Sequence, residues 1–109
     1  MKIIIESPDF KPSKSLNEYI IEKVSKLERL HSGIISAELT LEKDVKKTKE
    51  LIRCTLILNI PGKDEYLKAN SPIFEDAILK VVENAQRRLR IRKTQKLVTR
   101  KKGIKEKGK

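Results

Sequence analysis

Apolar residues along the chain follow two periods, and the change between them divides the sequence into strands and helices. The β-branched run at residues 2–6 predicts a short strand, which Pro8 and Pro12 bring to an end. Ser15 and Glu18 then have the spacing of a capping box at the start of a helix. This helix should be amphipathic, since its apolar residues recur at spacings of four and three: Leu16, Ile20, Val24 and Leu27.

The period changes to two after Gly33, a residue suited to end a helix in the left-handed conformation. Apolar and polar residues alternate over 35–42, which predicts a strand with one solvent-exposed face. Polar residues 44–50 predict a turn, and the alternation resumes over 52–60 as a longer strand. A Pro-Gly pair then suits a type II turn, and residues 66–69 can form the next strand.

The last helix should begin at Ser71 as N-cap, with Pro72 in the first helical position. Its apolar residues fall within one narrow arc of the helix surface: Phe74, Ile78, Val81, Val82, Ala85 and Leu89. Arg92 and Lys96 continue this arc with charged side chains, so the helix should extend beyond the sheet that supports it. The order β-α-β-β-β-α predicts an α+β fold, an antiparallel sheet with two helices packed on one face.

The positive charge of the chain is concentrated near its end. The 109 residues include 26 Lys and Arg against 15 Asp and Glu, a formal net charge of +11. Residues 80–109 contain 13 basic and 2 acidic residues, so the whole excess lies there. A concentration of positive charge on one helix attracts polyanions such as nucleic acids. Arginine side chains in particular can bind a phosphate through two hydrogen bonds. Nine basic residues surround the end of the last helix: Arg87, Arg88, Arg90, Arg92, Lys93, Lys96, Arg100, Lys101 and Lys102.

Catalysis and cofactor binding find little support in the sequence. No stretch approaches the roughly 20 apolar residues of a membrane span, so we expect a cytoplasmic protein without a membrane partner. Cys54, the single cysteine, lies among the inward residues of the central strand, where a free Cys is usually part of the core. His31 has no second metal ligand at a suitable spacing. The sequence therefore predicts no enzyme, no metal site, no cofactor and no small-molecule substrate.

Recognition of phosphates and shape is the expected mode of binding. Four aromatic residues are too few for a base-stacking platform. No helix-turn-helix or zinc-ligand pattern points to a specific DNA sequence, so a folded RNA fits better. Lys23 falls within the apolar arc of the first helix, and its ammonium should reach the rim of that surface. It is either an RNA contact or an ordinary surface lysine.

Three segments together resemble the ribosome hibernation-promoting factors, also called ribosome-associated translation inhibitors or sigma factor modulation proteins. They are Met-Lys-Ile-Ile-Ile at 1–5, the first helix over 15–27, and Phe-Glu-Asp-Ala-Ile at 74–78 leading to Arg-Arg-Leu at 87–89. The resemblance covers residues 1–98. One departure is Ser-Pro-Ile-Phe at 71–74, where the family usually has Asp, a hydrophobic residue, Tyr and Ala.

The resemblance implies a double-stranded-RNA-binding-like fold that lies in the mRNA and tRNA channel of the small ribosomal subunit. There it inhibits translation in stressed or stationary-phase cells. Residues 1–98 would be the ribosome-binding domain and residues 99–109 a basic, disordered tail, as in short family members that lack a dimerisation domain. We then expect a monomer when free. Carried over by position, the ribosomal RNA contacts are Lys23, Lys26, Arg87, Arg88, Arg90, Arg92, Lys93 and Lys96, and Arg100 extends the same basic helix.

A different class of function remains open at this point. The basic end of the chain is also typical of a protein that binds any polyanion, at the nucleoid or a membrane surface, without inhibiting translation. Preference for small ribosomal subunits over duplex DNA at near-physiological salt distinguishes the two hypotheses.

Overall fold

The computed structural model describes residues 1–46 and 49–107, with side chains described for residues 1–43 and 50–92. Its elements follow the predicted order: β1 (Lys2–Glu6), α1 (Lys14–Ser25) with a 3-10 turn (Lys26–Arg29), β2 (Ser36–Lys46), β3 (Lys49–Asn59), β4 (Glu65–Ser71) and α2 (Phe74–Lys107). Strands β2 and β3 are longer than the sequence pattern predicted. The predicted turn at 44–50 therefore overlaps both strands, and residues 47 and 48 lie outside the described residues.

Strand β1 occupies one edge of a four-stranded sheet with the order β1-β2-β3-β4. It runs parallel to β2, with Ile3 beside Ala37 and Ile5 beside Leu39. The sheet is therefore mixed, and the prediction of a wholly antiparallel sheet is wrong for this pair. The physical reason is the connection through α1, which returns the chain across the sheet so that β2 starts at the same end as β1.

Strands β2, β3 and β4 form an antiparallel meander. Leu39, Leu56 and Leu67 lie side by side across the three strands, which places one continuous apolar row on the inner face. Between β3 and β4 the chain turns at Gly62, whose φ of 95° lies in the region that favours glycine. The amide of Ile60 donates to Asp64 Oδ1 at 3.0 Å and closes this turn.

Both helices pack on the same face of the sheet. Ile20 and Val24 of α1 and Ile78 of α2 are completely buried in one cluster with the inner leucines of the strands. Helix α1 also packs on α2. The predicted fold class, α+β with two helices on one face, is thus confirmed, and the opposite face of the sheet carries the polar residues of β2 and β3.

Both helices begin at a different residue from the one that the sequence predicted. Helix α1 is capped by Ser13, whose Oγ accepts the amide hydrogen of Leu16 at 3.1 Å, so Ser15 is already inside the helix. Ser71 is the last residue of β4, and its hydroxyl accepts from the Ile73 amide at 3.3 Å. Because the chain needs two further residues to leave the strand, α2 begins at Phe74 rather than at Pro72.

The end of α1 and the extent of α2 both differ from what a simple helix pattern indicates. The 3-10 turn ends α1 before Gly33, so the predicted left-handed stop at that glycine is not used; in the described part of the chain, Gly62 is the glycine with a positive φ. The buried stripe of α2 reaches Leu89, and the helical backbone continues to Lys107. The division into a domain at 1–98 and a tail at 99–109 stays a prediction. None of the helices described above combines the length and apolar composition that crossing a bilayer requires.

Candidate nucleic-acid interface

The basic surface of α2 follows from the way this helix packs. Val81, Ala85 and Leu89 are buried against the sheet, so Arg87 and Arg90, on the opposite side of the helical wheel, point away from it. Arg87 and Arg88 are exposed, and so is Arg90, which has a further interaction within the protein. The fold thus presents adjacent guanidinium groups on a rigid helix. Several of them can contact neighbouring phosphates without rearrangement of the backbone.

Arg92 has a different environment from the arginines before it. Its Nη1 donates to the backbone carbonyl of Lys63 at 2.9 Å and to Glu65 Oε2 at 3.4 Å. The side chains of Arg92 and Glu65 are 27% and 12% exposed. The structure therefore ties this predicted RNA contact to the turn between β3 and β4. At Arg92, the first charged residue in the apolar arc of α2, the helix therefore still contacts the end of the sheet.

Two predicted contacts lie on or just after α1. Lys23 is half-buried, as its place in the apolar arc predicted, and its Nζ lies 5.4 Å from the centre of the Tyr19 ring. Such a cation–π contact holds the ammonium at a defined point. Tyr19 in turn donates from its hydroxyl to the carbonyl of Glu75, in the first turn of α2, at 3.4 Å. Lys26 is exposed at the start of the 3-10 turn.

The remaining predicted residues are on the distal part of α2. Lys93, Lys96 and Arg100 belong to its helical backbone, and their side chains lie outside the described residues. Their roles as RNA contacts therefore stay predictions, as do those of the other predicted residues.

Sequence reasoning missed a surface on the outer edge of the sheet. Strand β4 forms the edge of the sheet opposite β1, and the side chains of Tyr66 and Lys68 are exposed there. Two adjoining hollows of about 320 and 500 Å³ lie between strand and helix, and both are lined by Lys68, Asn84 and Arg87. We call this surface the β4–α2 groove. The alternation of residues in β4 was a signal for it, since it turns Tyr66, Lys68 and Asn70 away from the core.

Groups that could carry covalent chemistry are held in structural roles. Cys54 is completely buried, and burial raises the pKa of its thiol to about 12. The His31 Nδ1 accepts the amide hydrogen of Gly33 at 3.0 Å. Within the described part of the chain, no cluster of His, Cys, Asp and Glu has the size needed to hold a metal ion.

Acidic residues near the start of α2 are also held in place. Asp76 Oδ2 accepts from the Ser71 hydroxyl at 2.7 Å and lies 3.2 Å from Lys80 Nζ. The Ser71 hydrogen bond, followed by that of Lys80, keeps the pKa of Asp76 below its ordinary value. This carboxylate therefore stays ionised beside the helix N-terminus, where negative charge is favourable.

Comparison with known proteins gives a family match and two similar folds. Residues 3–97 match the model of the family described as sigma 54 modulation protein / S30EA ribosomal protein. No curated protein matches the sequence. The N-terminal domain of Protein Y from Thermus thermophilus is 18% identical, with a TM-score of 0.71 over 82% of this chain and 96% of that one. A ribosomal subunit interface protein from Coxiella burnetii is 16% identical, with a TM-score of 0.71 over 86% of this chain and 99% of the other.

Proposed function

Because the chain belongs to the sigma 54 modulation protein / S30EA ribosomal protein family, that of the ribosome hibernation-promoting factors, we propose that it binds the small ribosomal subunit. It lies in the channel for mRNA and tRNA, contacts ribosomal RNA there, and inhibits translation during stress or stationary phase. It acts in the cytoplasm and is monomeric when free. The exposed guanidinium groups of Arg87 and Arg88 on α2 are the observation that carries this function.

Phosphate contacts from a folded helix explain both affinity and placement. Arginines on consecutive turns of α2 keep fixed distances to one another, so they match a phosphate arrangement that is itself fixed by RNA structure. Lys26 extends the cationic surface to the end of α1, and the Lys23 ammonium is held over Tyr19. The distal residues Lys93, Lys96 and Arg100 continue the basic helix into the channel.

Inhibition follows from occupancy and requires no turnover. A domain that fills the channel competes with tRNA and mRNA for the same space. Binding linkage then requires each ligand to lower the apparent affinity of the other. In a purified translation system, inhibition should be stoichiometric with ribosomes, should weaken as salt rises, and should be relieved by excess initiator tRNA and mRNA. Inhibition at strongly substoichiometric amounts would falsify this mechanism.

Co-sedimentation with purified small subunits tests the binding surface. The double variant Arg87→Ala/Arg88→Ala should weaken binding and reduce the slope of log affinity against log salt by about two, roughly one unit per phosphate contact. The matched control Lys11→Ala/Lys14→Ala removes the same charge from two exposed residues near the start of α1 and should leave the slope nearly unchanged. Equal effects of both double variants would show that net charge, rather than the α2 surface, drives binding.

The alternative of a general polyanion binder gives a different result in the same assay. The wild-type protein should remain on small subunits when duplex DNA is present in molar excess at near-physiological salt. Transfer to the DNA would contradict ribosome binding. Deletion of residues 103–109 should reduce affinity less than Arg87→Ala/Arg88→Ala does, and the reverse order would make the tail the binding element.

A further inference from the structure

The β4–α2 groove combines residues that no helix or strand presents alone. From α2 it takes residues at the spacing of one helical stripe, Lys80, Asn84, Arg87, Arg88 and Ile91. From β4 it takes the five consecutive residues 66–70, so the hollows follow the outer edge of the strand, where Tyr66, Lys68 and Asn70 alternate with Leu67 and Ala69. The two hollows share their central residues, so they form one continuous concave surface along the edge of the sheet.

The charge of this groove suits a phosphodiester backbone. Its lining includes four cationic side chains, Lys68, Lys80, Arg87 and Arg88, and one carboxylate, that of Glu83. Lys80 is already paired with Asp76 at 3.2 Å, which leaves Lys68 and the two arginines as the cations at the centre. Lys68 lies on the outward face of β4 and Arg87 on α2 at the other face, but both line the two hollows, so a phosphate at the strand edge can contact both cations.

Tyr66 gives the groove a feature that phosphate binding does not require. Its side chain is 66% exposed at one end of the groove, and Ile91, 48% exposed, lies at the same end. An exposed aromatic ring beside cations is the arrangement on which unpaired bases stack in single-strand-binding proteins. Asn84 is half-buried and lines both hollows, and its amide offers both donors and an acceptor for a base edge.

Other occupants of this edge fit less well. A double helix keeps its bases stacked and leaves the Tyr66 ring without a partner. A peptide strand added to β4 would have to pair beside Lys68 and Arg87, and charged side chains along an edge oppose strand addition. A flexible single strand can place a phosphate on the cations and a base on the ring at the same time.

We propose that the β4–α2 groove binds a single-stranded RNA segment, with one unpaired base stacked on Tyr66 and its adjacent phosphates held by Lys68, Arg87 and Arg88. This site rests on the proposed function, since ribosomal RNA is the partner that supplies the segment. It adds a base contact to an interface otherwise made of phosphate contacts. It lies on the edge of the sheet farthest from β1.

The chain offers a spectroscopic probe for this contact. It has no Trp and two Tyr residues, so Tyr66 is the sole strong emitter in a Tyr19→Phe background. Addition of a ten-nucleotide single-stranded oligoribonucleotide to the full chain should quench Tyr66 emission. A blunt RNA duplex of the same length should leave the emission unchanged. Equal quenching by the duplex, or none by the single strand, overturns the stacking contact.

Substitutions then separate the base contact from the phosphate contacts. Tyr66→Leu removes the ring and should weaken single-strand binding by about five- to hundredfold with an unchanged salt slope, whereas Tyr66→Phe should bind like the wild type. Lys68→Ala should lower the slope by about one unit. Arg29→Ala, an exposed residue of the 3-10 turn outside the groove, is the charge-matched control and should have little effect.

Small-subunit binding distinguishes failure of the groove from failure of the proposed function. If the wild type binds subunits and Tyr66→Leu binds them equally well, the groove is not part of the interface and this inference is wrong. If the wild type binds the oligonucleotide with Tyr66 quenching but not the subunits, ribosome binding is wrong and the groove site stands. Displacement of the oligonucleotide by an acidic peptide that also quenches Tyr66 would overturn the assignment to RNA.

Discussion

Removal of the Arg92 side chain should destabilise the protein more than removal of its exposed neighbours. Its guanidinium donates to the Lys63 carbonyl at 2.9 Å, a hydrogen bond that is exposed to solvent and contributes about 1 kcal/mol. The 3.4 Å contact with Glu65 is longer, and both side chains keep some access to water, so this pair adds about 1 kcal/mol or less. We therefore expect Arg92→Ala to lower the free energy of unfolding by about 1–2 kcal/mol.

Urea unfolding of single and double variants measures these contributions. Glu65→Gln should lower the free energy of unfolding by about 1 kcal/mol. The double variant Arg92→Ala/Glu65→Gln should lose less than the sum of the two single variants, with a coupling of about 1 kcal/mol between Arg92 and Glu65. Arg88→Ala is the matched control on the same helix, because its side chain is exposed, and it should change stability by about 0.5 kcal/mol or less. Thermal midpoints should follow, with a loss of about 5 °C for Arg92→Ala.

The result that refutes this reasoning is a loss of stability that is equal for Arg92→Ala and Arg88→Ala, with no coupling to Glu65. The same variants also test the prediction from sequence that Arg92 contacts RNA. Because its guanidinium is held by the β3–β4 turn, Arg92→Ala should reduce the salt slope of subunit binding less than Arg88→Ala does. An equal reduction would show that Arg92 leaves Glu65 for a phosphate in the complex.

Three further properties of the fold can be measured directly. Cys54 should resist alkylation at pH 8 in the native protein and react as soon as urea unfolds it, because burial raises the pKa of its thiol to about 12. Rapid labelling of the native protein would contradict the buried position. Asp76→Asn should lower the free energy of unfolding at neutral pH and make it depend less on pH in acid. The reason is that a carboxyl with a depressed pKa stabilises the fold above its unfolded-state pKa and loses this effect as pH falls through its folded-state pKa. A parallel acid profile for the variant would exclude that role. Ser13→Ala should cost about 1 kcal/mol and Ser15→Ala much less, because Ser13 caps α1; the opposite order would restore the predicted capping box.

The fold was predictable from sequence wherever one face of an element is buried. The period-two rows of β2 and β3 and the stripe of α2 place Leu39, Leu56 and Leu89 in the core, as the pattern predicted. The direction of β1 was not predictable in this way, because a strand has the same alternation whether it pairs parallel or antiparallel. Only the return of the chain through α1 decides it.

The candidate site was predictable in its charge and not in its partners. The surplus of cations on α2 follows from counting, and the exposure of Arg87 and Arg90 follows from the helical period. The ion pair of Arg92 with Glu65 joins residues 27 positions apart, and no local pattern indicates it. The position of Tyr66 beside α2 likewise depends on the sheet order, which places β4 at the edge.

The parallel pairing of β1 also has a consequence for the order of folding. Ile3 of β1 pairs with Ala37 of β2 across a long connection that contains α1. Strands β2, β3 and β4 are joined by short connections and pair with their neighbours in the chain. Closing a long loop is unfavourable until the contacts it allows have formed, so the hairpins and α2 should assemble first and β1 should dock last. The strand that leaves the translating ribosome first is then the last to be stabilised. Substitutions in β1, such as Ile5→Val, should accelerate unfolding while leaving the folding rate nearly unchanged.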